Sequence, residues 1–246
     1  MSLPEKPADI DRSLTVYFWS DEAIRSRSVS RVLSQGILAI PQPPARLTAD
    51  WDRELARLGL EIGDIEPLPL ARTIMRWPDY ARCAEAVSAW MQTLGLPDLL
   101  STSEIALMAC RGTPYHHDAA QYGDSVFCNL FLSEDKGMDL HFPFLGKHIP
   151  LTRGTVVIFD TAQPHAAIPR GRSGFNNADF AHDHDCTQIF LTWELPIENT
   201  QLKRALQIDF DIHLPGCSSG GAKLNAQKVC LNGMPVTVCP DTGQWR

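Results

Sequence analysis

The stretch Arg111-Gly-Thr-Pro-Tyr-His-His-Asp118 opens a series of short β-prone segments that occupies the middle of this chain. Residues i and i+2 of a β-strand point to the same face of a sheet. We therefore expect His116 and Asp118 to converge, while His117 points away. A later segment begins with His165, and its imidazole would complete a set of two imidazoles and one carboxylate.

This set of side chains is typical of one kind of metal site. Two imidazoles and a carboxylate on one face of an iron ion leave open coordination positions, as in non-haem Fe(II) oxygenases. The carboxylate of Asp118 would offset positive charge as iron is oxidised, which favours hydroxylation or desaturation over halogenation. A surface pair after Pro114 is the simpler interpretation of His116 and Asp118, but the strand pattern around them favours the metal site.

The pattern consists of eight short β-prone segments separated by turn residues, and it predicts a sandwich or barrel. The predicted strands are Ile105–Cys110, Tyr115–Asp118, Ser125–Ser133, Met138–Phe144, His148–Leu151, Gly154–Asp160, His165–Ile168 and Thr187–Glu194.

The rest of the chain is predicted to contain both strands and helices. Strands are expected over residues 14–19 and 36–40, and a hairpin around Asn232-Gly233 with Cys230 opposite Pro235. Three amphipathic helices are expected, over residues 21–34 with Ser20 as N-cap, 51–58 and 80–94.

We expect one structural domain with three regions. Residues 1–103 form an N-terminal buttress, 104–196 the strand-rich core and 197–246 a C-terminal extension with the hairpin. The whole is α+β and mainly β.

Composition narrows the possible partners. The chain has 246 residues and a formal net charge of −7, so bulk nucleic acid is not expected as a partner. No apolar run is long enough to span a bilayer, and the start of the sequence has no apolar signal core, so we expect a cytoplasmic protein. The sequence does not indicate the oligomeric state.

Two other groups of potential ligands leave alternatives open. Seven scattered cysteines favour reduced thiols, although Cys217, Cys230 and Cys239 with His213 could be interpreted as a zinc site. The run 181–186 contains two histidines. A polar loop after Asn176-Asn177 is the simpler interpretation, but the run could also supply a rival metal triad with His165 or form a lid beside the site.

The succession of motifs resembles a known family. It comprises Arg111–Asp118, Cys128–Ser133, Thr152–Asp160, Pro164–Pro169 and Ile189–Trp193. This succession resembles the double-stranded β-helix core, a jelly-roll or cupin-like barrel, of the 2-oxoglutarate- and Fe(II)-dependent oxygenases. The resemblance covers roughly residues 104–195, and the helical N-terminal third fits the helices that commonly buttress that core.

The resemblance implies His116, Asp118 and His165 as iron ligands, with 2-oxoglutarate as cosubstrate and dioxygen as oxidant. The family usually places an arginine about ten positions after the distal histidine to hold the far carboxylate of 2-oxoglutarate. Here Arg170 and Arg172 lie five and seven positions on, and one of them is the expected anchor. Arg111, Lys147 and Arg153 are other basic residues of the core block.

Three functions follow as hypotheses. The first is an oxygenase that hydroxylates a small molecule or a protein side chain. The second is a cupin-like metal enzyme that does not use 2-oxoglutarate. The third is a barrel without turnover that serves as a ligand sensor or interaction module.

Overall fold

The eight predicted core strands form two facing antiparallel sheets in the computed structural model, which describes residues 14–20, 23–180, 185–212 and 228–246. The core strands are β5 (Glu104–Cys110), β6 (Thr113–His116), β7 (Ser125–Phe131), β8 (Met138–Phe142), β9 (Lys147–Pro150), β10 (Thr155–Asp160), β11 (His165–Pro169) and β12 (Gln188–Pro196). The other strands are β1 (Leu14–Ser20), β2 (Ala23–Ser28), β3 (Ser34–Ile37), β4 (Ile65–Leu68), β13 (Lys228–Leu231) and β14 (Met234–Pro235). The helices are α1 (Ala45–Leu58), α2 (Leu70–Arg76), α3 (Tyr80–Thr93), α4 (Ala119–Tyr122) and α5 (Thr200–Ala205).

The order of the core strands defines the topology. The large sheet has the order β3-β10-β7-β12-β5-β4, and the small sheet has the order β6-β11-β8-β9. From β5 to β12 the chain crosses repeatedly between the two sheets, so that apart from the β8–β9 pair each core strand pairs with core strands that do not adjoin it in sequence. This is the arrangement of a double-stranded β-helix, and it confirms the predicted fold class. A third sheet, in the order β14-β13-β1-β2, lies outside this barrel.

Side-chain alternation on the large sheet separates two hydrophobic regions. One face packs against α1 and α3 through residues such as Trp51, Val87 and Leu130. The opposite face lines the space between the two sheets, with Phe131 and Phe190 among its buried members. The helices therefore buttress the barrel from outside. The predicted boundaries of the three regions stay a prediction, since β3 and β4 extend the large sheet at its two edges.

The predicted helix over residues 21–34 is wrong for the described residues. Residues 23–28 form β2, which pairs with β1 in a hairpin, with Thr15 opposite Ser28. Arg27 is fully buried and forms an ion pair with Asp160, a contact distant in sequence. This long-range pairing overrides the local helical pattern. The predicted strand at residues 36–40 begins earlier, since β3 spans Ser34–Ile37.

The two other predicted helices are present as α1 and α3. Asp79 precedes α3 as predicted, and Gly95 follows it with a φ of +74°. The predicted hairpin is also confirmed, because Cys230 lies opposite Pro235 across β13 and β14. No helix among the described residues is long and apolar enough to cross a membrane.

No disulfide bond joins any two of the described cysteines, which are Cys83, Cys110, Cys128, Cys186, Cys230 and Cys239. Cys217 and His213 of the alternative zinc site lie outside the described residues, as do His182 and His184 of the rival triad.

Candidate metal centre

His116, Asp118 and His165 come together at one end of the barrel. His165 is the first residue of β11, and the register of the small sheet places it directly opposite His116 on β6. One ligand atom from each of the three side chains lies within 4.8 Å of the others. In the part of the chain that the structure describes, no other group of three histidine, cysteine or acidic side chains meets this condition.

Asp118 belongs to the cluster, but it does not lie on the same strand as His116, contrary to the prediction. β6 ends at His116, so the period-two argument does not apply to Asp118. Asp118 instead precedes the short helix α4, with φ −100° and ψ 2°, and its carbonyl accepts from Gln121 and Tyr122. Its own N–H donates to the carbonyl of Thr161 at 2.7 Å. A helix start therefore turns the carboxylate toward both histidines.

Backbone carbonyls fix the orientation of both imidazoles. The Nδ1 of His116 donates to Pro114 O at 2.8 Å, and the Nδ1 of His165 donates to Gln163 O at 2.9 Å. A carbonyl only accepts, so each Nδ1 carries the proton and each Nε2 is left with a lone pair. The two Nε2 atoms lie 3.7 and 3.5 Å from the oxygens of Asp118. In metal-binding histidines, a hydrogen bond from the other ring nitrogen commonly fixes this tautomer and orientation.

The electrostatics of the site keep His165 neutral. Burial is the main cause that lowers the pKa of His165 to about 4, and the neighbouring His116 lowers it further against the opposing effect of Asp118. A neutral imidazole at physiological pH presents its lone pair to a cation. The donor set of two nitrogens and one carboxylate fits Fe(II).

A buried ion pair supports the loop that joins β10 to β11 and leads into His165. The side chains of Arg27 and Asp160 are fully buried and bonded at 2.8 and 2.9 Å. Asp160 also accepts from the backbone N–H groups of Ser30 and Ala162, at 2.7 and 2.9 Å. Thr161 next to it accepts the N–H of Asp118. Sequence reasoning missed this support because Arg27 lies in the segment predicted as a helix.

His117 points away from the triad, as predicted. Its ring contacts that of Trp245 with the centroids 5.5 Å apart, and burial lowers its pKa. Its Nδ1 is buried and has no hydrogen-bond partner among the described residues.

The structure pairs Arg170 and Arg172 with carboxylates. Arg170 donates to Asp139 and to both oxygens of Asp135, each at 2.9 Å. Arg172 forms an ion pair with Asp179 at 3.0 Å. Neither arginine is brought together with the triad by any described contact. That one of them anchors 2-oxoglutarate stays a prediction.

The three other basic residues of the strand-rich core differ from one another in their contacts. Arg111 donates to Leu60 O at 3.2 Å, and Arg153 lies 3.8 Å from Glu134. Lys147 is an exposed residue of β9.

Solved structures similar to this chain include two prolyl hydroxylases and a protein complexed with 2-oxoglutarate. A prolyl-4-hydroxylase from Pseudomonas putida is 19% identical, with a TM-score of 0.41 over 67% of this chain and 91% of that chain. A viral collagen prolyl hydroxylase from Paramecium bursaria Chlorella virus-1 is 11% identical, with a TM-score of 0.38 over 67% and 88%. EvdO2 from Micromonospora carbonacea var. aurantiaca, complexed with 2-oxoglutarate, is 18% identical, with a TM-score of 0.39 over 68% and 87%.

No protein-family model matches the chain, and no curated protein matches it. The identities and TM-scores of the solved structures are low, so the chemistry of the site rests on its own geometry. That geometry is a preorganised 2-His-1-carboxylate cluster at one end of a double-stranded β-helix.

Proposed function

We propose that the protein is a non-haem Fe(II) oxygenase that uses 2-oxoglutarate and dioxygen to hydroxylate a C–H bond. The supporting observation is the orientation of His116 and His165, whose Nε2 lone pairs both face the carboxylate of Asp118. The substrate is a small molecule or a protein side chain. In the balanced reaction, R–H, O₂ and 2-oxoglutarate give R–OH, succinate and CO₂.

The three side chains divide the work of holding the metal. His116 and His165 each supply one neutral nitrogen, held in place by the carbonyl bonded to its Nδ1. Asp118 supplies the negative charge, and its backbone N–H ties it to the loop that also carries His165. When bound, Fe(II) would orient and activate dioxygen beside the 2-oxo acid.

Aromatic side chains enclose the buried side of the cluster. The ring of Phe159 lies 4.9 Å from that of His165, and the ring of Phe142 lies 5.8 Å from it. These rings keep water away from His165, which is 7% exposed. The exclusion of water on this side strengthens the electrostatic interactions of the site. The exposed side of Asp118 remains open to the substrate.

The direct test is spectroscopic. Anaerobic protein loaded with Fe(II) should develop a weak visible charge-transfer band when 2-oxoglutarate is added. When dioxygen is then admitted, succinate should form. Loaded protein without such a band and without succinate would contradict the use of 2-oxoglutarate.

Asp118→Ala provides a second test. Two imidazoles remain, so some iron binding should persist, but hydroxylation should be lost because no carboxylate balances the charge of the oxidised metal. Product mass spectrometry measures the outcome. Robust hydroxylation by this variant would contradict the role proposed for Asp118.

A metal enzyme that does not use 2-oxoglutarate is the second candidate. The observation that favours it is the pairing of Arg170 and Arg172 with carboxylates, which leaves the far end of a dicarboxylate without an obvious cationic partner. Succinate formation separates the two candidates. A barrel without turnover is less well supported, because the triad is drawn together rather than splayed apart.

A further inference from the structure

Two glutamates lie side by side on the inward face of the large sheet. Glu104 is the first residue of β5, and Glu194 on β12 is its direct cross-strand partner. Side chains alternate with a period of two, so the pair shares its face with Met108 and Phe190, which belong to the cluster between the sheets. Like charges directly opposite each other destabilise a sheet, so a positive partner would stabilise this pair.

The described part of the chain does not supply that partner. Burial raises the pKa of Glu194, the charges of Glu104 and Asp124 raise it further, and no positive charge among the described residues lowers it. The one basic residue on the inward faces of the described core strands is Lys147. It lies on β9, at the edge of the small sheet that continues into β10, and so on the side of the barrel away from β5.

The glutamate pair lies at the same end of the barrel as the candidate metal centre. β5 starts with Glu104 and runs away from this end, and β6 returns to it and ends with His116. Burial raises the pKa of Tyr122, and the charge of Glu194 raises it further. The charges of Asp118 and Glu104 act in the same direction. One hydroxyl is therefore near the glutamate pair and near the carboxylate of the triad.

Unpartnered acceptor atoms extend this acidic surface into the barrel. Thr192 lies two residues before Glu194 on β12, about 7 Å deeper, and Asn129 on β7 is its cross-strand partner. The Oγ1 of Thr192 and the Oδ1 of Asn129 are buried, and neither has a partner among the described residues. The two residues are 8% and 7% exposed. An amide oxygen only accepts hydrogen bonds, so these atoms point to a ligand that carries N–H donors.

Gln188 is a third buried residue of this face with unpartnered atoms, but it is not part of the same site. It lies six residues before Glu194, which is about 20 Å along β12. Both its amide nitrogen and its amide oxygen are unpartnered among the described residues. A group with one free donor and one free acceptor gives no preference for a cation.

The surface around the glutamate pair is accessible to a ligand. Ala106, Met108 and Phe127 face inward from interior strands of the large sheet, yet they are only partly buried. Phe127 is the cross-strand partner of Glu194, and its ring lies 4.9 Å from that of Tyr122. An aromatic face beside a carboxylate adds to the attraction for a cation.

We propose that Glu104 and Glu194 recognise a positively charged group, an ammonium or a guanidinium, on the substrate. The proposal deepens the function proposed above and rests on it for the reaction that follows binding. The two carboxylates balance the charge, and Thr192 and Asn129 accept further N–H hydrogen bonds. Facing sheets lie about 10 Å apart, so the oxidised carbon is several bonds from the nitrogen. The side chains of lysine and arginine have this form.

The test measures binding to the full-length, metal-free protein by calorimetry, so it depends on neither iron nor 2-oxoglutarate. The cationic probes are acetylated pentapeptides with a central lysine or arginine, and the neutral probes carry norleucine or citrulline at that position. The cationic probes should bind at least about tenfold more tightly, as expected for hydrogen bonds to charged groups. The corresponding free Nα-acetyl amino acids distinguish a small-molecule substrate from a protein side chain.

The double variant Glu104→Gln, Glu194→Gln should lose this preference and keep the affinity for the neutral probes. It should unfold no earlier than wild type, because it removes a repulsion. Glu66→Gln is the matched control. Glu66 lies on β4 of the same sheet, but its cross-strand partner Ala109 belongs to the cluster that faces the helices, so its side chain is on the opposite face. This variant should bind all probes as wild type does.

The outcomes separate the two proposals. Equal binding of cationic and neutral probes by wild type, or no binding of the cationic ones, would overturn the cation site. A preference that persists in the double variant, or that is lost equally in Glu66→Gln, would also overturn it. Wild-type protein that prefers the cationic probes but forms no succinate with Fe(II), 2-oxoglutarate and dioxygen would instead contradict the proposed function.

Discussion

The small sheet carries two pairs of histidines, one pair on each of its faces. His116 and His165 are cross-strand partners on the inner face, and His141 and His148 are cross-strand partners on the outer face. Each pair has an aspartate at similar range. Asp118 lies 3.5 Å from the Nε2 of His165, and Asp139 lies 3.7 Å from the Nδ1 of His148.

The two pairs differ in what occupies their other polar atoms. On the inner face both Nδ1 atoms bond to carbonyls, which leaves both Nε2 atoms directed at one carboxylate. On the outer face the rings stack at 3.9 Å, the Nδ1 of His141 bonds to the hydroxyl of Tyr115, and Asp139 accepts from Arg170. Under the proposed function, residue type and proximity do not by themselves make a metal site, and the hydrogen bonds behind the histidines distinguish the two pairs.

The largest expected difference between the pairs is in metal loading. His116→Ala or His165→Ala should lower the affinity for Fe(II) by at least about 100-fold, because each removes one of three ligands. His141→Ala and His148→Ala should load iron as wild type does. Metal analysis after anaerobic reconstitution, with circular dichroism to verify folding, measures this. Normal loading of the inner variants with loss in the outer ones would reverse the assignment.

The next largest difference is expected in stability, between the ion pair of Arg27 and Asp160 near the inner histidines and that of Arg170 and Asp135 near the outer ones. Asp160→Asn leaves the buried guanidinium of Arg27 without a counter-charge, so the free energy of unfolding should fall by about 3–5 kcal/mol. Asp135→Asn removes a half-exposed partner of Arg170 and should lower it by about 1 kcal/mol or less. Denaturant titrations measure both. Equal losses would mean that the buried pair does not hold the inner cluster.

In metal-free protein, the outer histidine pair should make the free energy of unfolding fall at acidic pH. Burial, with a contribution from His148 and against that of Asp139, lowers the pKa of His141 to about 4. The unfolded chain, with an ordinary histidine pKa, binds the proton first, so stability falls as the pH drops from about 6.5 toward 4. Between pH 7 and 4.5, wild type should lose about 2 kcal/mol more than His141→Phe. Parallel pH dependences in the two proteins would contradict this shift.

The smallest effect is expected at the histidine between the ligands. His117 contacts Trp245 and lies outside the triad, so His117→Ala should bind iron as wild type does. Loss of iron in His117→Ala but not in His116→Ala would show that the strand register is wrong.

The sequence predicted most of the barrel because its strands alternate regularly and are separated by turn residues. It predicted the convergence of His116 and Asp118 for an incomplete reason, since alternation cannot show where β6 ends and α4 begins. The buried pair of Arg27 and Asp160 depends on a contact between segments distant in the chain. Local patterns carry no information on such contacts, which is also why β2 was predicted as a helix.

We expect the inner pair, and not the outer one, to bind iron through Nε2. A crystal structure of the anaerobic Fe(II)-loaded protein tests it most directly. We expect one iron ion bonded to the Nε2 of His116, the Nε2 of His165 and a carboxylate oxygen of Asp118. Iron bonded through Nδ1, or held by His141 and His148 on the outer face, would contradict it.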